Sequence, residues 1–249
     1  MELTVLGRYG PYPAAGGACS GYLISAGDTR LLLDCGAGVL SRLASFVPLE
    51  SLTGVILSHL HSDHTSDYFV LRYALEVAMF QGRRREPLPV WAPPEPAEEF
   101  ARLSYRNVFA VNPVQDGQGI QIGTLQAWPF AGRHSVPSYG WLFAAADGKL
   151  AYSGDTEFYP ELAGRVQGSD LFLCEATYTQ QQLEQGARNH LTARQAGEVA
   201  REAGVDRLLL THLSPPQDRA ALLKEARAEF PPTWLAEEGR AYLLRRQGA

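Results

Sequence analysis

The sequence predicts an α/β protein of four layers, α/β/β/α, in which two mixed β-sheets pack face to face with helices outside both. Three observations predict it. Short apolar runs punctuated by glycine read as strands, these runs fall into two successive groups, and helical periodicity follows within each group. The order of strands then helix, twice over, fits two sheets packed face to face with helices outside both. The chain has 249 residues and no linker-like stretch divides it, so one domain over 1–249 is expected.

In order, strands are expected at Leu3 to Leu6, Tyr22 to Ser25, Leu31 to Asp34 and Gly54 to Leu57, with a helix over Val39 to Phe46. Tyr68 to Phe80 is apolar on nearly every side and reads as a well-buried helix or an interface. The proline-rich piece from Pro87 to Pro96 admits one strand, Pro89 to Trp91, before a helix that starts near Pro96 and runs to Leu103. The second group has strands at Leu125 to Ala131, Tyr139 to Ala146, Lys149 to Ser153 and Leu171 to Glu175. Thr192 then caps a helix that Gly204 closes, Val205 to Thr211 forms an apolar strand, and Asp218 opens a last helix stopped by Pro231-Pro232.

The composition excludes several classes. Hydrophobic residues make up 45% and charged residues 20%, the profile of an ordinary globular protein. The net charge of -5 argues against a broad nucleic-acid surface, and the one basic cluster, Arg83-Arg84-Arg85, reads as a solvated loop after a helix. No signal-like start or membrane-length apolar run is present, which points to the cytoplasm. Cys19, Cys35 and Cys174 are odd in number and sit in apolar contexts, so they read as small buried side chains rather than a disulfide framework.

The chemistry is concentrated after the strand Val55-Ile56-Leu57. His59, His61, Asp63 and His64 place imidazole and carboxylate donors in one tight loop, a set that suits zinc and also manganese, iron or nickel. So many donors crowd poorly around a single ion. His59 and His61 on one ion and Asp63 and His64 on a second, about 3.5 Å away, is the expected arrangement for hydrolysis. Completing both spheres requires donors at other strand ends, and the remaining histidines, His134, His190 and His212, lie there together with Asp155 in Ser153-Gly154-Asp155-Thr156.

These segments together resemble the metallo-β-lactamase fold superfamily, in its ribonuclease Z-like branch. The resemblance runs over nearly the whole chain: the Gly-rich start from Leu6 to Ser20, Leu33-Asp34-Cys35-Gly36, the His cluster, His134 to Gly140, Ser153 to Thr156, Glu175-Ala176-Thr177, His190-Leu191-Thr192 and Thr211 to Ser214. It implies a first metal on His59, His61 and His134, a second on Asp63, His64 and His212, and Asp155 bridging them with a nucleophilic hydroxide. It further implies that Asp63 orients that nucleophile, His190 protonates the leaving group and Glu175 orients His190. Asp34 is expected to support the His loop through hydrogen bonds from behind.

Phosphodiester cleavage is the favoured activity, on a small anionic substrate such as a cyclic nucleotide. The alternatives are a lactone or thioester hydrolase of the same fold, a transfer-RNA 3′ processing endonuclease, and an inactive metal-stabilised binding module. Ribonuclease Z carries a long transfer-RNA arm after its third His motif, whereas only about twenty residues, enough for two strands, separate His134 from Asp155. Ser214-Pro215-Pro216 also lacks the Ser-Arg pair that the family uses for phosphate. Arg8, Tyr9, Tyr12, Tyr139, Tyr178 and Arg188 are candidates to line the pocket, and the Tyr68 to Phe80 helix is a candidate homodimer seam.

Overall fold

A computed structural model describes residues 1–244; residues 245–249, the end of the expected domain, lie outside the described part. The first half supplies strands β1 (Glu2–Gly7), β2 (Gly21–Ala26), β3 (Thr29–Cys35), β4 (Gly54–Ile56), β5 (Leu88–Ala92) and β6 (Phe109–Pro113). Its helices are α1 (Val39–Leu43), α2 (Ser62–Thr65), α3 (Tyr68–Phe80) and α4 (Ala97–Arg102). The second half supplies β7 (Ile120–Ile122), β8 (Leu125–Ala131), β9 (Tyr139–Ala145), β10 (Gly148–Tyr152), β11 (Leu171–Glu175), β12 (Leu208–Thr211) and β13 (Thr233–Leu235). Its helices are α5 (Leu162–Val166), α6 (Gln180–Glu184), α7 (Ala193–Ala203) and α8 (Arg219–Glu229), and β14 (Ala241–Leu243) closes the described chain.

Two seven-stranded sheets result, in the orders β14-β1-β2-β3-β4-β5-β6 and β13-β12-β11-β10-β9-β8-β7; the first half builds all of the first sheet except its edge strand β14, which returns from the end of the described chain to pair with β1. Both are mixed: β3 to β6 are parallel while β1 to β3 are antiparallel, and β10 to β13 are parallel while β7 to β10 are antiparallel. The apolar strands have no polar face because both faces are covered. Along β3, Leu31 and Leu33 enter the core between the sheets while Leu32 enters the outer core shared with α1 and α3. Along β11, Leu171 and Leu173 face the central core while Phe172 and Cys174 face the layer containing α5, α7 and α8. The expected four layers are therefore present.

Local chemistry explains the ends of α7. The Thr192 side chain accepts the Gln195 N–H while the Gln195 side chain accepts the Thr192 N–H, a reciprocal capping box, and Gly204 ends the helix at φ 62°. Asp218 caps α8 through the N–H groups of Ala220 and Ala221. The expected strand from Val205 starts only at Leu208, because the Val205 N–H still bonds back to Ala200 and the Asp206 N–H bonds to Ser169.

One expectation about α3 is corrected. Its buried face is Tyr68, Leu71, Leu75 and Ala78, whereas Val70, Tyr73 and Val77 are about half exposed and Phe80 is 93% exposed. Only one side packs on the sheet, so the uniform apolarity reflects a second, open stripe. The three cysteines are buried and free, as expected. Arg83 and Arg84 are not simply solvated: Arg83 pairs with Glu50, and Arg84 donates to the carbonyls of Glu50 and Leu52, tying the loop after α3 to the turn before β4.

Candidate metal centre

Parallel strands deliver their carboxyl ends to one rim, and the candidate metal ligands, with His190 and Glu175, stand there. β4 runs into the His loop, β3 carries Asp34 as its last residue but one, β10 leads to Asp155, β11 ends at Glu175 and β12 leads to His212. The loop between β8 and β9 brings His134, and the turn before α7 brings His190. The whole predicted set is thereby assembled from both sheets.

The first group of donors is His59, His61 and His134. His61 Nδ1 lies 3.1 Å from His59 Nε2 and 3.2 Å from His134 Nε2. The second group is Asp63, His64 and His212, with His212 Nε2 3.2 Å from Asp63 Oδ2 and His64 Nε2 3.7 Å from it. Asp155 stands between the groups, its carboxylate 3.7 Å from His59 Nε2, 3.5 Å from His64 Nε2 and 3.2 Å from His212 Nε2.

Buried partners fix which nitrogen of each ring points inward. Asp34, fully buried, accepts the Ser58 N–H at 2.7 Å, the Ser58 hydroxyl at 2.9 Å, the Tyr152 hydroxyl at 2.8 Å and His64 Nδ1–H at 2.8 Å. That leaves His64 Nε2 as the inward atom, as expected for a supporting carboxylate. On the opposite side, Glu175 Oε1 accepts the Thr156 N–H at 2.7 Å and His190 Nδ1–H at 3.0 Å, while Oε2 accepts the Thr177 hydroxyl at 2.8 Å. Thr177 in turn accepts His212 Nδ1–H at 2.9 Å. Glu175 thus holds His190 directly and His212 through one hydroxyl.

The residues fit a divalent metal on a direct observation. His64 Nε2 and Asp155 Oδ1 are buried, face each other at 3.5 Å and have no hydrogen-bond partner. A buried polar atom without a partner is costly, and a cation taking the place of a proton on His64 Nε2 satisfies both atoms at once. The electrostatics agree. Burial alone would push His64 down, yet the carboxylates of Asp155, Asp34 and Asp63 hold its imidazolium well above the ordinary value. Burial, and then the neighbouring charge of His64, push His59 well below. Burial works against the Asp155 carboxylate, but His212, His64 and His59 hold it well below the usual range. A field that retains a proton on a buried imidazole will also attract a metal cation.

Sequence reasoning missed several supports. Thr177, Ser58 and Tyr152 carry no signal of their own, because hydroxyls are common at strand ends. Gly10 and Gly36 are close approaches: a Cβ would lie 1.9 Å from His212 Nε2 at Gly10 and 1.9 Å from the Asp63 carbonyl oxygen at Gly36. Of the candidate pocket residues, Tyr178 stands beside the site, with its ring 5.7 Å from that of His190. Tyr9 instead is buried between the guanidinium groups of Arg8 and Arg219, on the side packed against the outer core. Arg8 bonds the Ala236 carbonyl, and Tyr139 packs at the edge of the central core.

Two seven-stranded sheets with a histidine and carboxylate cluster at their common rim define a metal-dependent hydrolase. The chain belongs to the beta-lactamase superfamily, whose domain model matches residues 29–213. It is 34% identical to the probable metallo-hydrolase YhfI of Bacillus subtilis (strain 168), over 92% of this chain and 94% of that one. The crystal structure of YhfI, a metallo-beta-lactamase fold protein, superposes with a TM-score of 0.93, covering 97% of this chain and 98% of YhfI at 33% identity. The chain is also 30% identical to ribonuclease Z of Methanopyrus kandleri (strain AV19), over 99% of each.

Proposed function

We propose that this metallo-hydrolase is a phosphodiesterase acting on a small anionic phosphodiester, a cyclic nucleotide being the first candidate, through a dinuclear centre. The observation that carries the reading is His190 held by Glu175 at 3.0 Å beside the shared carboxylate Asp155, 3.8 Å away. His59, His61 and His134 would hold one ion, Asp63, His64 and His212 the other, and Asp155 both. Two divalent ions bound there, zinc foremost with manganese, iron and nickel as alternatives, supply Lewis acidity and a water made nucleophilic near neutral pH.

The chain's own residues do the rest. Asp63, its carboxylate held low by His64 and His212 against the effect of burial, stays ionised and can orient the attacking water. In the balanced reaction, water adds to phosphorus, the bond from phosphorus to the leaving oxygen breaks, and His190 supplies that oxygen with a proton. His190 Nδ1 is engaged by Glu175, so Nε2 is the nitrogen free to donate.

Between His134 and Asp155 the chain holds β9, β10 and the tight turn joining them, with no room for a transfer-RNA arm. This favours a small substrate over the ribonuclease Z reading. No helix of the described residues is long and apolar enough to cross a membrane, and with three free thiols a single cytoplasmic domain is the setting we favour. Metal-loaded protein is expected to hydrolyse bis(p-nitrophenyl) phosphate and 3′,5′-cyclic AMP. Asp63→Ala should lose both activities, and His190→Ala should lose about 10²–10⁴-fold on the alkoxide-releasing substrate. Absence of turnover with all four metals would overturn the reading, and turnover of lactones or thioesters alone would replace it with carbonyl hydrolysis.

A further inference from the structure

We infer that Glu157 and Asn189 are positioning residues that make the first metal group and the proton donor a single mechanical unit. The inference rests on the hydrolase reading above and adds residues to it. Asn189 precedes His190 and has a left-handed backbone, φ 69°. Its carbonyl accepts His134 Nδ1–H at 2.8 Å, and its N–H donates to Glu157 Oε1 at 2.6 Å. Glu157 is itself anchored, its N–H bonded to the Arg133 carbonyl at 2.7 Å.

The contacts close a ring. The Arg133 N–H donates to Thr156 Oγ1 at 2.9 Å, the Thr156 N–H donates to Glu175 at 2.7 Å, and Glu175 accepts from His190 at 3.0 Å. The path therefore runs His134, Asn189, His190, Glu175, Thr156, Arg133 and back to His134. The His134 and His190 rings stand 5.0 Å apart inside it. One peptide thus does two things. Its carbonyl keeps the proton of His134 on Nδ1, which leaves Nε2 free to bind metal, and its position sets where His190 starts.

A left-handed conformation is accessible to asparagine or glycine and costly for a β-branched residue. Glu157 serves as an acceptor, so glutamine can replace it where alanine cannot. The experiment measures zinc binding by isothermal titration calorimetry and, in parallel, kcat for bis(p-nitrophenyl) phosphate and for methyl p-cresyl phosphate, which has a poor leaving group. Glu157→Ala should weaken one of two zinc sites by about 10–100-fold and lower kcat more on the cresyl ester than on the nitrophenyl ester. Glu157→Gln should restore both. Asn189→Gly should behave as wild type and Asn189→Val as Glu157→Ala, which keeps the test open if Glu157→Ala fails to fold. Wild-type zinc affinity and an unchanged ratio of the two kcat values in Glu157→Ala and Asn189→Val would overturn the inference. If wild-type protein hydrolyses neither ester, the phosphodiesterase reading fails, and the zinc titrations still decide whether Asn189 positions His134.

Discussion

At the scale of single residues, the site is governed by two buried carboxylates that orient its histidines. Asp34 fixes His64, and Glu175 fixes His190 and, through Thr177, His212. Glu175 has a consequence that can be titrated in the metal-free protein. Burial disfavours the His190 imidazolium, but Glu175 outweighs it and pushes the pKa up to about 9, against an ordinary 6.5. A raised pKa in the folded state means that the pair stabilises the fold fully below pH 6.5 and that this contribution is lost as pH rises through about 9. Histidine NMR of metal-free protein should show the His190 midpoint near 9, and Glu175→Gln should bring it down by removing the opposing charge. An unmoved midpoint would show that Glu175 does not set it. The histidines were legible in the sequence because each imidazole beside a strand end is conspicuous. Thr177, Asn189 and Gly10 were not, because their roles depend on which backbone atoms the fold brings within reach.

At the scale of elements, periodicity located α3 and α7 to the residue at most ends but gave no information on what covers them. The caps of α7 and α8 were readable because Thr192, Gly204 and Asp218 act on their own neighbours. The short strands β6, β7, β13 and β14 were missed, since strands of a few residues at sheet edges owe their form to pairing rather than to their own pattern. For α3, apolarity on all sides suggested burial, whereas Val70, Tyr73, Val77 and Phe80 form an open stripe one helical face wide. A second copy of the chain is the occupant we propose for it. Light scattering at micromolar concentration should then give twice the chain mass, and Val77→Asp with Phe80→Glu should give a monomer with an intact fold. A wild-type monomer under those conditions would leave the stripe without this role.

At the scale of the molecule, the metal centre is where the two sheets depend on each other. His59, His61, Asp63 and His64 come from the loop after β4 of one sheet, and His134, Asp155 and His212 from strand ends of the other. Neither sheet alone supplies a full set for either proposed ion, since the first needs His134 and the second needs His212 and Asp155. Ions bound there would cross-link the halves of the sandwich at the rim, in addition to the apolar core between them. Because unfolding separates these donors, metal binds the native state far better than the unfolded chain, and stability should follow the free metal concentration. A hundredfold excess over Kd stabilises by about 2.7 kcal/mol per site, which for a chain of this length raises Tm by roughly 5–10 °C. Calorimetry of zinc-loaded protein before and after chelation should show a drop of at least that size, and readdition of zinc should reverse it. His134→Ala, which takes one donor from the second sheet, should lose part of the metal-dependent increment while its metal-free Tm stays near that of the wild type. An equal Tm with and without chelator, in protein shown to bind two ions, would mean that the unfolded chain holds the ions as tightly as the native one, and the bracing of the two sheets by metal would fall.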